Sequence, residues 1–284
     1  DHATALRLQN LVLIRTYISK TGIVDKSVIN IIEQAIDIHC NILTDDLLYT
    51  KNTNHGWDQM TILLITSKIC CNFVDSEKWF DVAYSRIKEE IDFAFTSDGV
   101  HVENSPAYHQ TMLIRLIENI ELFENIGLEV EVAWKELVEK GITFLSWLTM
   151  PDGTLPMIGD TVKTYSAPNL KKQLTEYQKM GNYGLKVFNR SGWAIYRNSL
   201  SDSKEDDLYF TIKCGFLSNY HRHDDDCSIT LYAHGSEWLI DGGMYNYDEK
   251  SELRKFMRSP RAHNLLVIPS VIPHRNKKMG ENTS

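Results

Sequence analysis

His221-Arg222-His223 is the tightest group of chemistry-bearing side chains in the chain. Two histidines at i and i+2 of a strand share one face and stand a few ångströms apart. That spacing suits one metal ion, or one metal and one base. Asp224, Asp225 and Asp226 follow at once. Asp241 ends a strand pattern before Gly242-Gly243, and His263 opens another. Histidine, aspartate and histidine from neighbouring strands offer zinc its nitrogen and oxygen ligands and leave a fourth position for water. A polar loop explains His-x-His equally well, because sequence does not show which strands pair.

A second cluster is Glu103-Asn104-Ser105-Pro106-Ala107-Tyr108-His109. Ser105-Pro106 reads as a helix start, serine as N-cap and proline at the first helical position. Tyr108 and His109 then sit in the first turn, where the positive helix end is expected to lower a phenol pKa from about 10. Asn54-His55-Gly56-Trp57 also precedes a helix, with Asn54 as the expected N-cap. Pro156 to Thr161 is a loop in which Asp160 caps or orients a partner. Each cluster also has a purely structural explanation as a cap or turn. Glu103 and Asp160 are the one carboxylate pair that a metal-dependent glycoside hydrolase could use. A phosphate-cradling glycine loop, a nucleophile elbow and a Cys/His protease signature are all absent from the sequence.

The elements that must position these groups divide the chain. Apolar residues at three-four spacing (Leu11, Ile14, Ile18; Ile29, Ile32, Ile36, Cys40) predict amphipathic helices, and similar patterns cover about 57–73, 78–95, 107–126 and 131–149. Breaks fall at 45–54, 97–99 and 151–153. Successive helices of this length predict antiparallel hairpins, in a bundle or an α/α toroid. Near Gly184 the period changes. Strands are predicted at 193–196, 208–212, 228–233, 237–241 and 263–268, with His234-Gly235-Ser236 as a hairpin turn. Five or six strands are few for a closed sandwich, so an incomplete one is expected. The division is a helical domain over 1–184 and a β domain over 185–284.

Composition narrows the class. The 284 residues are 43% hydrophobic and 24% charged, with a formal net charge of -8. That is globular composition without a basic face for nucleic acid. No apolar run approaches the length of a membrane span, and no signal peptide opens the sequence. Five cysteines, an odd count at no zinc spacing, are expected to be buried free thiols.

Six segments in order resemble the heparinase II/III family of polysaccharide lyases. They are Asn54-His55-Gly56, Asp98 to His109, Leu155 to Asp160, His221 to Asp224, Leu239 to Gly243, and Arg261 to Asn264. The resemblance implies an α+β multidomain fold, an N-terminal (α/α) toroid followed by an antiparallel β-sandwich, both shortened here. It implies β-elimination on an acidic, uronic-acid polysaccharide, and a periplasmic or secreted setting. By motif position Asn54 (or its neighbour His55) neutralises the uronate carboxylate, and Tyr108 and His221 share the acid and base roles. His223, Asp241 and His263 match zinc ligands, with zinc organising the loop that presents His221. Glu103, His109, Arg222 and Arg261 are expected to contact substrate, and His109, His221 or Arg222 to support a tyrosinate. The alternative is a heparinase-like protein that binds or handles a glycan without cutting it.

Overall fold

The computed structural model describes residues 2–22, 25–167, 170, 183–198 and 207–268. Seven α-helices and five strands lie among them. The helices are α1 (His2–Thr21), α2 (Lys26–Thr44), α3 (Asn54–Ile69), α4 (Ser76–Ala94), α5 (Pro106–Asn125), α6 (Val132–Leu148) and, after the strands, α7 (Glu252–Met257). The chain forms two compact units. One comprises residues 1–94 with 125–128, the other 95–124 with 129–284.

In the first unit, α1 to α4 bury one apolar stripe each: Leu8 and Val12, Ile36 and Cys40, Trp57, Met60 and Leu64, and Trp79, Ala83 and Ile87. The buried Arg86 of α4 donates to the carbonyls of Leu43 (3.0 Å) and Thr44 (2.9 Å). A cation there satisfies orphan carbonyls and complements the negative end of α2.

The loop before α3 turns on Glu90. This buried carboxyl accepts from the Tyr49 hydroxyl and from the Asn52 amide (2.9 Å). Gly56 permits the close approach, since a Cβ there would stand 2.4 Å from the Thr50 carbonyl and 2.8 Å from Glu90 Oε1. Burial outweighs these hydrogen bonds and the Lys51 charge, and raises the Glu90 pKa to about 7. The protonated form is therefore the one folding favours. Its stabilisation is full below the ordinary carboxylate range and is lost as pH rises through about 7, a change of roughly 3 kcal/mol. Glu90→Gln keeps an acceptor for Tyr49 and Asn52 but cannot ionise. Urea unfolding should show the natural chain losing stability between about pH 4.5 and 7 more steeply than the variant, and equal slopes would contradict this account.

The second unit is built on a meander, β1 (Gly184–Phe188), β2 (Trp193–Arg197), β3 (Leu208–Lys213), β4 (Ser228–Ala233) and β5 (Ser236–Leu239), every neighbour antiparallel. Along β2, β3 and β4 every second residue is buried, as period-two side chains on a half-covered sheet require. Trp193, Ile195, Tyr209 and Tyr232 pack on Phe144, Trp147, Leu148 and Met150 at the end of α6. Buried polar groups on that face close the end of the helix. Tyr209 Oη donates to the Leu148 carbonyl (2.7 Å), and Arg197 Nη2 donates to those of Trp147 (3.1 Å) and Thr149.

Three expectations need correction. Residues 263–268 are not a strand; they run irregularly after a 3-10 turn at Pro260–Ala262, although the Asn264 carbonyl accepts from the Ile229 amide (3.1 Å). The edge strand β1 was not read from sequence. Only Phe188 of its five residues is buried, so it lacks the alternation that marks β2 to β4. The cysteines are not uniformly buried: Cys40 and Cys70 are, whereas Cys71, Cys214 and Cys227 are exposed. Among the described residues no helix is long and apolar enough to cross a membrane.

Candidate active site

Pro106 begins α5, and the Ser105 hydroxyl accepts from the Tyr108 amide at 3.4 Å. Proline lacks the amide hydrogen that the first turn leaves unpaired, so this start costs no hydrogen bond. Tyr108 leaves the first turn with its ring stacked on His221, centroids 3.6 Å apart. Its hydroxyl meets that of Tyr247 at 2.9 Å. Contrary to the expectation from sequence, the phenol is not acidified by the helix end. Burial, the hydrogen bond with Tyr247 and the carboxylates of Glu103 and Asp160 push its pKa well above the ordinary tyrosine value. Local desolvation and negative charge outweigh a dipole worth less than about 1 kcal/mol.

His221 and His223 lie on a loop, not a strand, and His221 takes a left-handed backbone (φ 52°). Asp160 nonetheless gathers both. His221 Nδ1 lies 3.2 Å from Oδ2, and His223 Nε2 lies 2.9 Å from Oδ1. Gly159 makes this approach possible. At φ +57° it brings the chain so close that a Cβ would stand 2.6 Å from the His221 carbonyl and 2.8 Å from that of Asn104. The Asp160 amide then donates to the His221 carbonyl at 2.9 Å. From the other side Asn104 donates to the carbonyls of Ser218 (2.8 Å) and Tyr220 (3.1 Å). Glu103 Oε2 approaches His221 Nε2 at 3.4 Å. The imidazole is thus oriented at Nδ1 by Asp160, while Glu103 stands near Nε2 without a hydrogen bond to it. Burial alone would raise the pKa of Asp160 and of Glu103. Hydrogen bonds and charges from His221 and His223, and from His101 and His221 respectively, overcome it and hold both carboxyls below the usual range.

A glycoside hydrolase needs one of the pair to carry a proton to the leaving oxygen, and neither carboxyl is pushed toward its protonated form. The structure also recasts Glu103, which is buried against two histidines instead of lining an open surface. His109 is not a substrate contact. It is buried between Phe95 and Phe144, its Nδ1 accepts from the His101 amide (3.2 Å), and its Nε2 donates to the Gly141 carbonyl (3.1 Å). Burial depresses its pKa to about 3, so it supplies no cation to a tyrosinate. Arg222 is turned onto Asp226 and the face of Phe216. Arg261 is exposed in the 3-10 turn. Tyr247 and Arg254 were missed. Arg254 lies 3.7 Å from Asp160 Oδ1, with its guanidinium 5.3 Å from the Tyr247 ring centre. They belong to a segment whose period and spacing carry no sign of chemistry.

In the first unit, Thr53 is the N-cap of α3, its hydroxyl accepting from the Gly56 amide (3.0 Å). Asn54 was expected in that role but is the first helical residue, so its amide is not spent on the cap. His55 is exposed and stacks on His2, centroids 4.3 Å apart.

His223, Asp241 and His263 each turn one ligand atom toward the others, all within 4.8 Å of one another. His263 Nδ1 lies 2.8 Å from Asp241 Oδ2, and His223 Nε2 lies 2.9 Å from Asp160 Oδ1. With those nitrogens protonated, His263 Nε2 and His223 Nδ1 keep their lone pairs, and both atoms are buried without a hydrogen-bond partner. Two orphaned nitrogens beside a buried carboxylate are what a metal ion would satisfy, and the second carboxylate is the usual outer support of a ligating histidine. The residues fit a metal.

Comparison with known proteins gives the family. Residues 6–183 match the model of the heparinase II/III N-terminus, and residues 180–271 that of the heparinase II/III-like C-terminal region. The chain belongs to the heparinase II/III family. Relatives named heparin-sulfate lyase are 25% identical in Bacteroides thetaiotaomicron and 24% identical in Pedobacter heparinus, each over 78% of this chain. The chain spans 38% and 36% of their lengths, well under half. A crystal structure of heparinase III superimposes with a TM-score of 0.79 over 95% of this chain and 47% of that one, at 19% identity. The heparan sulfate lyase HepC from Pedobacter heparinus gives 0.62 over 82% and 40%, at 21% identity. The fold is therefore of the heparinase kind, with a helical N-terminal region followed by an antiparallel β region.

Proposed function

We propose that this heparinase II/III chain carries the β-elimination chemistry of a lyase acting on a uronic-acid glycan of the glycosaminoglycan class. The observation that carries the reading is the stacked Tyr108/His221 pair, with Asp160 at His221 Nδ1. β-Elimination removes the proton next to a carboxylate and expels the glycosidic oxygen. An ionised carboxylate resists, because a second negative charge must develop on it.

Tyr108 keeps its proton at neutral pH and is suited to protonate the leaving oxygen. His221 is suited to take the carbon-bound proton, its ring held in one orientation. A positioned acid or base contributes about 10²–10⁴-fold each. The opposite configuration at the reacting carbon exchanges the roles. Asn54 is the carboxylate-neutralising donor by its place in the family motif, and its amide is free of capping duty. A preorganised donor to a developing oxyanion contributes about 3 kcal/mol, so Asn54→Ala should lower kcat about 10²-fold in steady-state rates. Unchanged kcat would remove Asn54 from the reaction. The test of the whole reading is incubation with heparan sulfate and unsulfated uronate polymers, followed by ultraviolet absorbance of the unsaturated product. Absence of product across the panel, from folded protein, overturns it.

Zinc is the ion proposed for His223, Asp241 and His263, since two imidazoles and a carboxylate suit it. Bound there, zinc supplies a fixed anchor for the loop that carries His221. Binding to the folded state at 100 times Kd stabilises by about 2.7 kcal/mol. Scanning calorimetry should show zinc raising the melting temperature of the natural chain and leaving His263→Ala unmoved; an equal rise in both would place the ion elsewhere.

A further inference from the structure

We propose that Cys214 and Cys227 are a reversible disulfide site that clamps the neck of the loop presenting His221 and His223. The inference is independent of the lyase reading and rests on where the sheet places the two thiols. Lys213 of β3 faces Ser228 of β4 in register, so Cys214 and Cys227 are the next residues out on the two arms. The Cys227 amide donates to the Lys213 carbonyl (2.6 Å), which holds the arms together at that level. The Cys227 thiol already points at its neighbour, with Sγ to Sγ 3.2 Å. Both cysteines are exposed.

Closing a bond from there asks for about 1 Å of approach. The two ends are otherwise fixed. Cys214 donates its amide to the Gly192 carbonyl (2.7 Å), and a Cβ on Gly192 would stand 2.1 Å from the Cys214 carbonyl, so that crossing is tightly packed. On the other arm the Gly215 amide donates to Asp226 Oδ1 (3.3 Å). The segment between the thiols, 215–226, contains both histidines. A link at 214–227 would close that segment into a ring whose base is the sheet.

The oxidant is a low-molecular-weight disulfide, RSSR. One cysteine thiolate attacks it, forming a mixed disulfide and releasing RS⁻. The second cysteine sulfur then attacks the protein-side sulfur and expels a second RS⁻. Both cysteine protons end on the two RSH released, and RSSR takes the two electrons.

The test is incubation of the full chain with oxidised glutathione, acid quenching, alkylation and peptide mapping by mass spectrometry. Cys214 and Cys227 should be recovered joined to each other within one chain, lighter by two hydrogen atoms, and dithiothreitol should restore two free thiols. Exposed Cys71 reports that oxidant reached the surface, by carrying glutathione. Recovery of Cys214 and Cys227 as free thiols, as separate glutathione adducts or as links between chains overturns the proposal. In Cys214→Ser, Cys227 should stop at the glutathione adduct. The melting temperature of the oxidised chain should rise by about 5 °C, with no rise in Cys214→Ser treated alike. A cross-link without that rise refutes the clamp.

Discussion

Tyr108→Phe should lower kcat on a cleavable uronate glycan by about 10²–10⁴-fold, with KM changed far less. The substitution removes one oxygen and keeps the ring that stacks on His221 at 3.6 Å. What is lost is the proton donor and its hydrogen bond with Tyr247, which lies at the exposed end of the phenol. Because burial and neighbouring carboxylates hold the phenol protonated, the variant lacks an acid in the state the natural chain presents at neutral pH. Initial rates from product absorbance, beside circular dichroism to confirm the fold, measure the effect. A variant within about threefold of the natural rate would take Tyr108 out of the proton transfers and leave His221 without its proposed partner.

Lys213→Met should destabilise the second unit by about 3–5 kcal/mol, read from urea unfolding. Lys213 ends β3 on the covered face of the sheet and is fully buried, as is Asp225, whose Oδ1 it meets at 3.2 Å. Burial alone would raise the Asp225 pKa, but Lys213, His223 and His263 overcome it and hold the carboxyl below its usual range. Without the ammonium that carboxylate is left in a dry site, and its Oδ2 already has no hydrogen-bond partner. Replacing both members, Lys213→Met with Asp225→Leu, should recover much of the loss, since the cost lies in the unpaired charge. A single variant as stable as the natural chain would show that Asp225 takes up a proton or reaches water.

The six helices before the sheet were legible from apolar residues at three-four spacing, although α1 buries Leu8 and Val12 and leaves Ile14 exposed; α7 was not read from sequence. Ser105-Pro106 was legible as a start because proline at the first position is a backbone constraint local to the sequence. The internal strands β2 to β4 showed alternation; β1 did not, because an edge strand with one buried residue has no face to mark. The cap of α3 shifted by one residue, to Thr53, since threonine and asparagine accept equally well and only backbone geometry separates them. His109 misled for a related reason. Its place beside Tyr108 suggested shared chemistry, but successive helical residues point about 100° apart, and this one points into the core.

By itself the sequence determined the order of the six long helices and of strands β2 to β5, the family, and the residue types that a metal and a proton-transfer pair require. Tertiary structure alone decided which of them meet. Asp160 reaches His221 and His223 across 61 and 63 positions, and Gly159 in a left-handed backbone is what lets that loop close on them. The same packing turned Glu103 inward, committed His109 to the core, and set the Tyr108 pKa above its ordinary value. Periodicity and capping act within a few residues and can be read locally. Charge neutralisation and desolvation depend on groups that only folding brings within a few ångströms of one another.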